Sequence, residues 1–169
     1  LTLIYPDGAR DAESMAVDAR GNAIYILSKR DSEPRLYQLP LDEALRVSGT
    51  DQTLTLTLLG NITSIPTPTP LELSLFPKYG QFRNQPTAMS LSADGNIIGL
   101  MTYGDAYRSV LGPDRDWLAA LNGGLVSVEV PFLPQAETIA IDAEQTLYVT
   151  TEQQGAPLLA FRAQSKTEQ

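Results

Sequence analysis

The chain of 169 residues contains no cysteine and no histidine. Without thiols there is no disulfide, no thiolate nucleophile and no sulfur-ligated metal, and without imidazole the commonest general base and metal ligand is missing. These absences close Ser-His-Asp and zinc-hydrolase chemistry. Basic residues are also scarce: 12 Lys and Arg face 20 Asp and Glu, for a net charge of −8. A chain this acidic lacks the cationic face that holds a phosphate backbone, which excludes nucleic acid as a partner. No apolar run approaches the roughly 18 residues of a spanning helix, so an integral membrane protein is not expected. The opening Leu1–Tyr5 has neither an initiator Met nor a basic flank, so a leader has been removed or the chain is part of a longer product. The missing cysteines fit the cytosol and the cell exterior equally and assign no compartment.

What is present is a repeat. With 43% hydrophobic residues the chain can bury the core of one domain. Three segments align within it, Glu13–Ile26, Thr87–Leu100 and Glu137–Val149, each reading as an apolar strand, a polar turn and a second apolar strand. Gly21-Asn22 and Asp94-Gly95-Asn96 can take the positive φ that a tight hairpin needs, and Glu144-Gln145 is the weakest match. A third strand follows each hairpin, at Arg35–Leu39, Ala106–Val110 and Pro157–Phe161. Short helical stretches, Leu41–Val47 and Asp114–Leu121, then lead in the first two units to a fourth strand, Thr53–Leu58 or Leu125–Val130. Four antiparallel strands per unit make one blade of a β-propeller.

The expected fold is therefore all-β, with about three blades in one unit over residues 1–169, half of a six-bladed propeller. A proline-rich insertion between blades at 61–84, containing Ile65–Pro70, reads as an extended spacer. Residues 162–169 form a polar tail. The third unit lacks a fourth strand, whereas Leu1–Tyr5 alternates like one and precedes the first unit, so the N-terminal strand can complete a C-terminal blade. Three blades are too few to close a ring, and open blade faces and edges invite association. The expected partner is a second copy of the chain, or the other half of the propeller.

Three segments, Tyr5–Glu13, Met101–Tyr107 and Val149–Pro157, resemble the second half of bacterial phytase-like, or integrin-like, six-bladed β-propeller proteins. The resemblance implies that fold, an exported, periplasmic or envelope-associated setting, and calcium.

Equivalent positions locate a candidate site. Residues just before or opening the innermost strand of successive blades face one another across the channel mouth: Asp11 and Glu13, Gln85 and Thr87, Gln135 and Glu137. The turns after the second strands bring Lys29, Tyr103, Asp105 and Glu152 to the same rim, and Lys29, Arg30 and Arg108 are the main cations of that face. Asp11, Glu13, Glu137 and Glu152 are the candidate metal ligands, because Ca²⁺ seeks six to eight oxygens. Two function classes follow. The favoured one is a non-catalytic binding or assembly module of the cell envelope or exterior, working in an oligomer or larger complex with protein partners. The alternative is a calcium-dependent phosphoester or ester hydrolase. Asp94–Asn96 reads as a hairpin turn rather than a calcium loop, and Trp117 as a cap on a blade.

Overall fold

The computed structural model describes residues 1–131 and 133–162. Strand β1 (Thr2–Ile4) leads into β2 (Ala12–Asp18), β3 (Ala23–Ser28) and β4 (Arg35–Pro40), which α1 (Leu41–Arg46) and β5 (Thr53–Thr55) separate from β6 (Thr57–Asn61). Helix α2 (Pro70–Leu75) and a 3₁₀ turn at Gly80–Phe82 precede β7 (Pro86–Leu91), β8 (Ile97–Thr102) and β9 (Ala106–Val110). Then come α3 (Trp117–Gly124), β10 (Val126–Val128), β11 (Ala136–Ile141), β12 (Leu147–Thr151) and β13 (Leu159–Phe161). The sheet orders are β2-β3-β4-β6, β7-β8-β9-β10 and β11-β12-β13, antiparallel throughout. Stacked side by side through β2, β7 and β11, these are three blades of a β-propeller.

Each blade opens with the same hairpin, for the same local reasons. Asn22, Gly95 and Gln145 take the positive φ of the turn, at 50°, 71° and 62°. The residue that closes or directly follows the first strand caps that turn with a side-chain oxygen. Asp18 accepts from the Gly21 N–H at 2.8 Å, Ser92 from Ile97 at 2.9 Å, and Asp142 from Thr146 at 2.7 Å.

The core lies in the seams between blades. One apolar slab joins the first two sheets through Ala16, Leu27, Leu36, Ile98, Leu100 and Trp117. A second joins the last two through Ile97, Met101, Ile139, Ile141 and Val149. Strand β8 lies in both seams and is buried at every position, as expected of a strand covered on both faces. A third slab, with Ile26, Tyr37, Leu39 and Val47, covers part of the outer face of the first blade beneath β1, β5 and α1. The Tyr5 ring meets Tyr37 edge-on at 4.8 Å, and Asp7 accepts hydrogen bonds from Arg10, Arg35 and Tyr37, which fixes the N-terminal segment there.

The structure departs from the sequence reading at four places. Thr53–Leu58 is divided: Thr53–Thr55 pairs parallel with β1, and only Thr57–Asn61 joins β4 as the fourth strand. Alternation placed Leu54 and Leu56 inward but carried no information about the pairing partner. Leu1–Tyr5 accordingly has a partner strand within its own chain. Helix α3 begins at Trp117 rather than Asp114, because Arg115 adopts a φ of 54° and the Asp116 carboxylate caps the Ala119 N–H at 2.9 Å. The insertion at 61–84 is no bare spacer: Pro70 opens α2, and Thr69 and Glu72 form a reciprocal capping box. Of the tail at 162–169, all but Arg162 lies outside the described residues.

Candidate functional site

The mouth of the three blades is built from a repeated irregularity. The pairing of the first two strands slips between Ala12 and Ser14, between Pro86 and Ala88, and between Ala136 and Thr138. The residue inside each slip is Glu13, Thr87 or Glu137. A β-bulge re-aims its side chain, so the same device turns one residue per blade towards a common rim. Opposite each slip, the end of the second strand is tied back by its own N–H: Lys29 to the Asp11 carbonyl at 2.8 Å, Tyr103 to Gln85 at 3.3 Å, Glu152 to Gln135 at 3.4 Å.

These positions join in one chain of contacts across all three blades. The Lys29 ammonium donates to Glu13 Oε2 at 2.5 Å and to the Tyr103 hydroxyl at 2.8 Å. The Tyr103 hydroxyl donates onward to Glu137 Oε1 at 3.1 Å, and Glu137 meets the Glu152 carboxyl. Thr87 turns instead to the third blade, donating to the Ala136 carbonyl at 2.7 Å. Burial pulls the Lys29 amine down, but the bonds to Glu13 and Tyr103 outweigh it and hold the amine above its ordinary value. The Lys29 side chain is only 5% exposed and stays charged because it is paired. Glu137 is pushed up, first by burial and then by the bond to Glu152, while the Tyr103 hydroxyl opposes the shift. A carboxyl raised in the folded state favours folding at acid pH and loses that contribution as pH rises through its folded value. Glu137 therefore costs stability at neutral pH beside Glu152 and takes up a proton more readily on acidification. Glu152→Gln is expected to bring Glu137 back towards the ordinary carboxyl range and to stabilise the protein at pH 7 more than at pH 4. Carbon NMR titration of Glu137 with urea melts at both pH values checks this, and an unmoved Glu137 titration would contradict the contact.

Of the residues expected at the mouth, Glu13, Lys29, Tyr103, Glu137 and Glu152 are brought together. Asp11 stands beside them, paired with Arg30, and Asp105 lies 3.7 Å from Arg83. Arg108 does not belong to the group. Strand β9 runs away from the mouth, Ala106 pairing near it and Val110 at the far end, so Arg108 lines a separate cavity with Ile97, Val126 and Gln145. The four candidate metal ligands do not fit Ca²⁺ as they stand. Asp11 and Glu13 are each held by a cation, and among the described residues no three carboxylates are grouped to share an ion.

Sequence reasoning missed the wall of the site. Phe76, Tyr79, Phe82 and Arg83, from the insertion, rise beside the mouth and enclose a cavity of about 590 Å³. Lys29, Arg30, Gln85, Tyr103, Pro134 and Gln135 line the rest of it. Arg83 anchors the wall, donating to Glu72 at 3.1 Å with its guanidinium 5.6 Å from the Phe76 ring. The capping pair Thr69 and Glu72 was the local signal that this stretch folds. Its prolines hid it.

No family model and no curated protein matches the chain. Among solved structures it is similar to a periplasmic gluconolactonase of Pseudomonas aeruginosa, at 10% identity and a TM-score of 0.49, over 99% of this chain and 46% of that one. It is also similar to a protein from Lactobacillus plantarum, at 13% identity and a TM-score of 0.42, over 94% of this chain and 45% of that one. The chain thus spans less than half the length of either structure, and the phytase-like resemblance has no counterpart in these comparisons.

Proposed function

We propose that this chain is a binding and assembly module, a run of propeller blades that works within a larger ring and presents its mouth to a ligand. The observation that carries the proposal is the state of the two end faces. Each internal seam buries a continuous slab, yet on the outward face of β2 Met15 is 58% and Val17 46% exposed. At the other end the third blade has three described strands where its neighbours have four, and β13 is its edge. Strand β1 uses Thr2 and Ile4 to bond β5, so by the alternation of a parallel ladder the Leu3 N–H and C=O point to its other edge. A further blade set against β2, with its third strand beside β1, satisfies both ends at once. A second copy of the chain supplies that geometry and makes the six-bladed ring. The exported or envelope setting implied by the phytase-like resemblance belongs to the same reading. Among the described residues no helix is long and apolar enough to cross a membrane.

Sedimentation of the Met15→Asp, Val17→Asp double variant tests this. Wild type is expected to associate with a concentration-dependent mass, and the variant to keep its circular dichroism while sedimenting as single chains. Equal sedimentation of the two would contradict the proposal.

A further inference from the structure

The mouth cavity has a chemistry that the cavities beside Arg108 do not share. The protein carries a net charge of −8, yet Lys29, Arg30 and Arg83 line this one cavity and no carboxylate does. Aromatic rings stand among the cations, with Tyr79 and Phe82 on the insertion wall and Tyr103 on the floor. The cavity beside Arg108 differs, since Glu129 lines it too.

The three cations are not equally available. Lys29 is held by Glu13 and Tyr103, and Arg83 by Glu72 and the Gly104 carbonyl. Arg30 gives only its Nε to Asp11; its terminal nitrogens have no acceptor among the described residues, and its side chain is 70% exposed. One free guanidinium edge matches a carboxylate, which accepts two parallel N–H bonds in its plane. Tyr79 and Phe82 give the lining aromatic surface for a flat apolar body, with Lys78 Nζ 4.9 Å from the centre of the Tyr79 ring, and 590 Å³ lies within the range of small-molecule sites. Carboxamides at Gln85 and Gln135 add neutral donors and acceptors.

We propose that the cavity between the insertion wall and the blade mouth is a binding site for a flat aromatic carboxylate, its ring between Tyr79 and Phe82 and its carboxylate on Arg30. The residues on which this proposal rests all belong to this chain, so the binding test below can fail without bearing on how the ring is completed.

The probes are 2-naphthoate and its neutral twin 2-naphthamide, titrated calorimetrically at low salt, with amide NMR shifts to locate them. The naphthoate is expected to bind at least about tenfold tighter than the amide, which corresponds to about 1.4 kcal/mol. It should shift the Tyr103 and Gln135 amides, and the advantage should shrink in high salt. Arg30→Gln should reduce the preference to within about threefold, whereas Tyr79→Ser should weaken both probes alike. Both substitutions are at exposed side chains, so the fold is retained, and circular dichroism checks this. No binding of naphthoate at millimolar concentration, equal binding of the two probes, an undiminished preference in Arg30→Gln, or shifts confined to the Arg108 cavity would each overturn the proposal.

Discussion

Replacing Asp18 by alanine is expected to destabilise the protein by about 3–5 kcal/mol, the loss typical of breaking a buried ion pair from one side. Asp18 is 0% exposed and ties two blades together. Its carboxylate accepts from the Gly21 N–H within its own hairpin, from Arg115 Nε at 2.7 Å and from the Trp117 indole N–H at 3.1 Å, both in the segment between β9 and β10 of the next blade. Removing it leaves the Trp117 indole N–H without a partner and the Arg115 guanidinium with only the Gly95 carbonyl at the seam, so both carry a desolvation cost that Asp18 had offset. Asp18→Asn keeps the size and one acceptor, and a loss of about 1–3 kcal/mol is expected. Burial pushes the Asp18 carboxyl up, but Arg115, the Gly21 N–H and the Trp117 N–H together hold it below its ordinary value. A carboxyl lowered in the folded state contributes stability above its unfolded value and loses it as pH falls through the folded one. Wild type should therefore weaken on acidification below about pH 4, and Asp18→Asn should lack that part of the acid limb. Trp117 is the single tryptophan and stacks on Tyr25 at 4.2 Å, so urea melts followed by its fluorescence read this seam directly. A variant as stable as wild type would contradict the account.

Gly99→Val is expected to cost about 2–3 kcal/mol by overpacking the other seam. Gly99 sits in the middle of β8, and a Cβ there would lie 3.1 Å from the Cδ1 atoms of both Ile139 and Ile141 and from the Ser90 hydroxyl. Those isoleucines belong to β11, the strand by which the third blade rests on the second. The wider side chain must push that strand away. Because the first seam does not touch Gly99, amide exchange should accelerate in β11 and β12 well before β2 and β3 respond. Uniform acceleration, or none, would show that the seams are not separable in this way.

These two positions differ in how far the sequence revealed them. The hairpin residues Asp18, Ser92 and Asp142 occupy one column of the repeat, and the turn they precede follows from Gly21-Asn22, Asp94–Asn96 and Glu144-Gln145. The reach of Asp18 to Arg115 and Trp117 does not, because nothing local records a partner almost one hundred residues away. The same division applies at the mouth. Glu13, Thr87 and Glu137 align, so their equivalent places at the blade ends were legible, while the bulge that turns Glu13 and Glu137 to the mouth and Thr87 into the next blade is a property of the paired strands. Arg108 shows the converse error: the sequence reading set it among the cations of the mouth, but the direction of β9 carries it away from the mouth to the level of Gly99. The insertion was misread because its prolines dominate its composition, although the Thr69-Pro70 start and Glu72 mark a helix.

The central claim, that these blades belong to a larger ring, is tested most directly by the mass of the purified chain in solution, measured by light scattering across a concentration series. The account predicts association towards twice the 18.4 kDa chain mass, with the exposed Met15 and Val17 face covered in the product. A single, well-folded 18.4 kDa species whose mass is independent of concentration would contradict it.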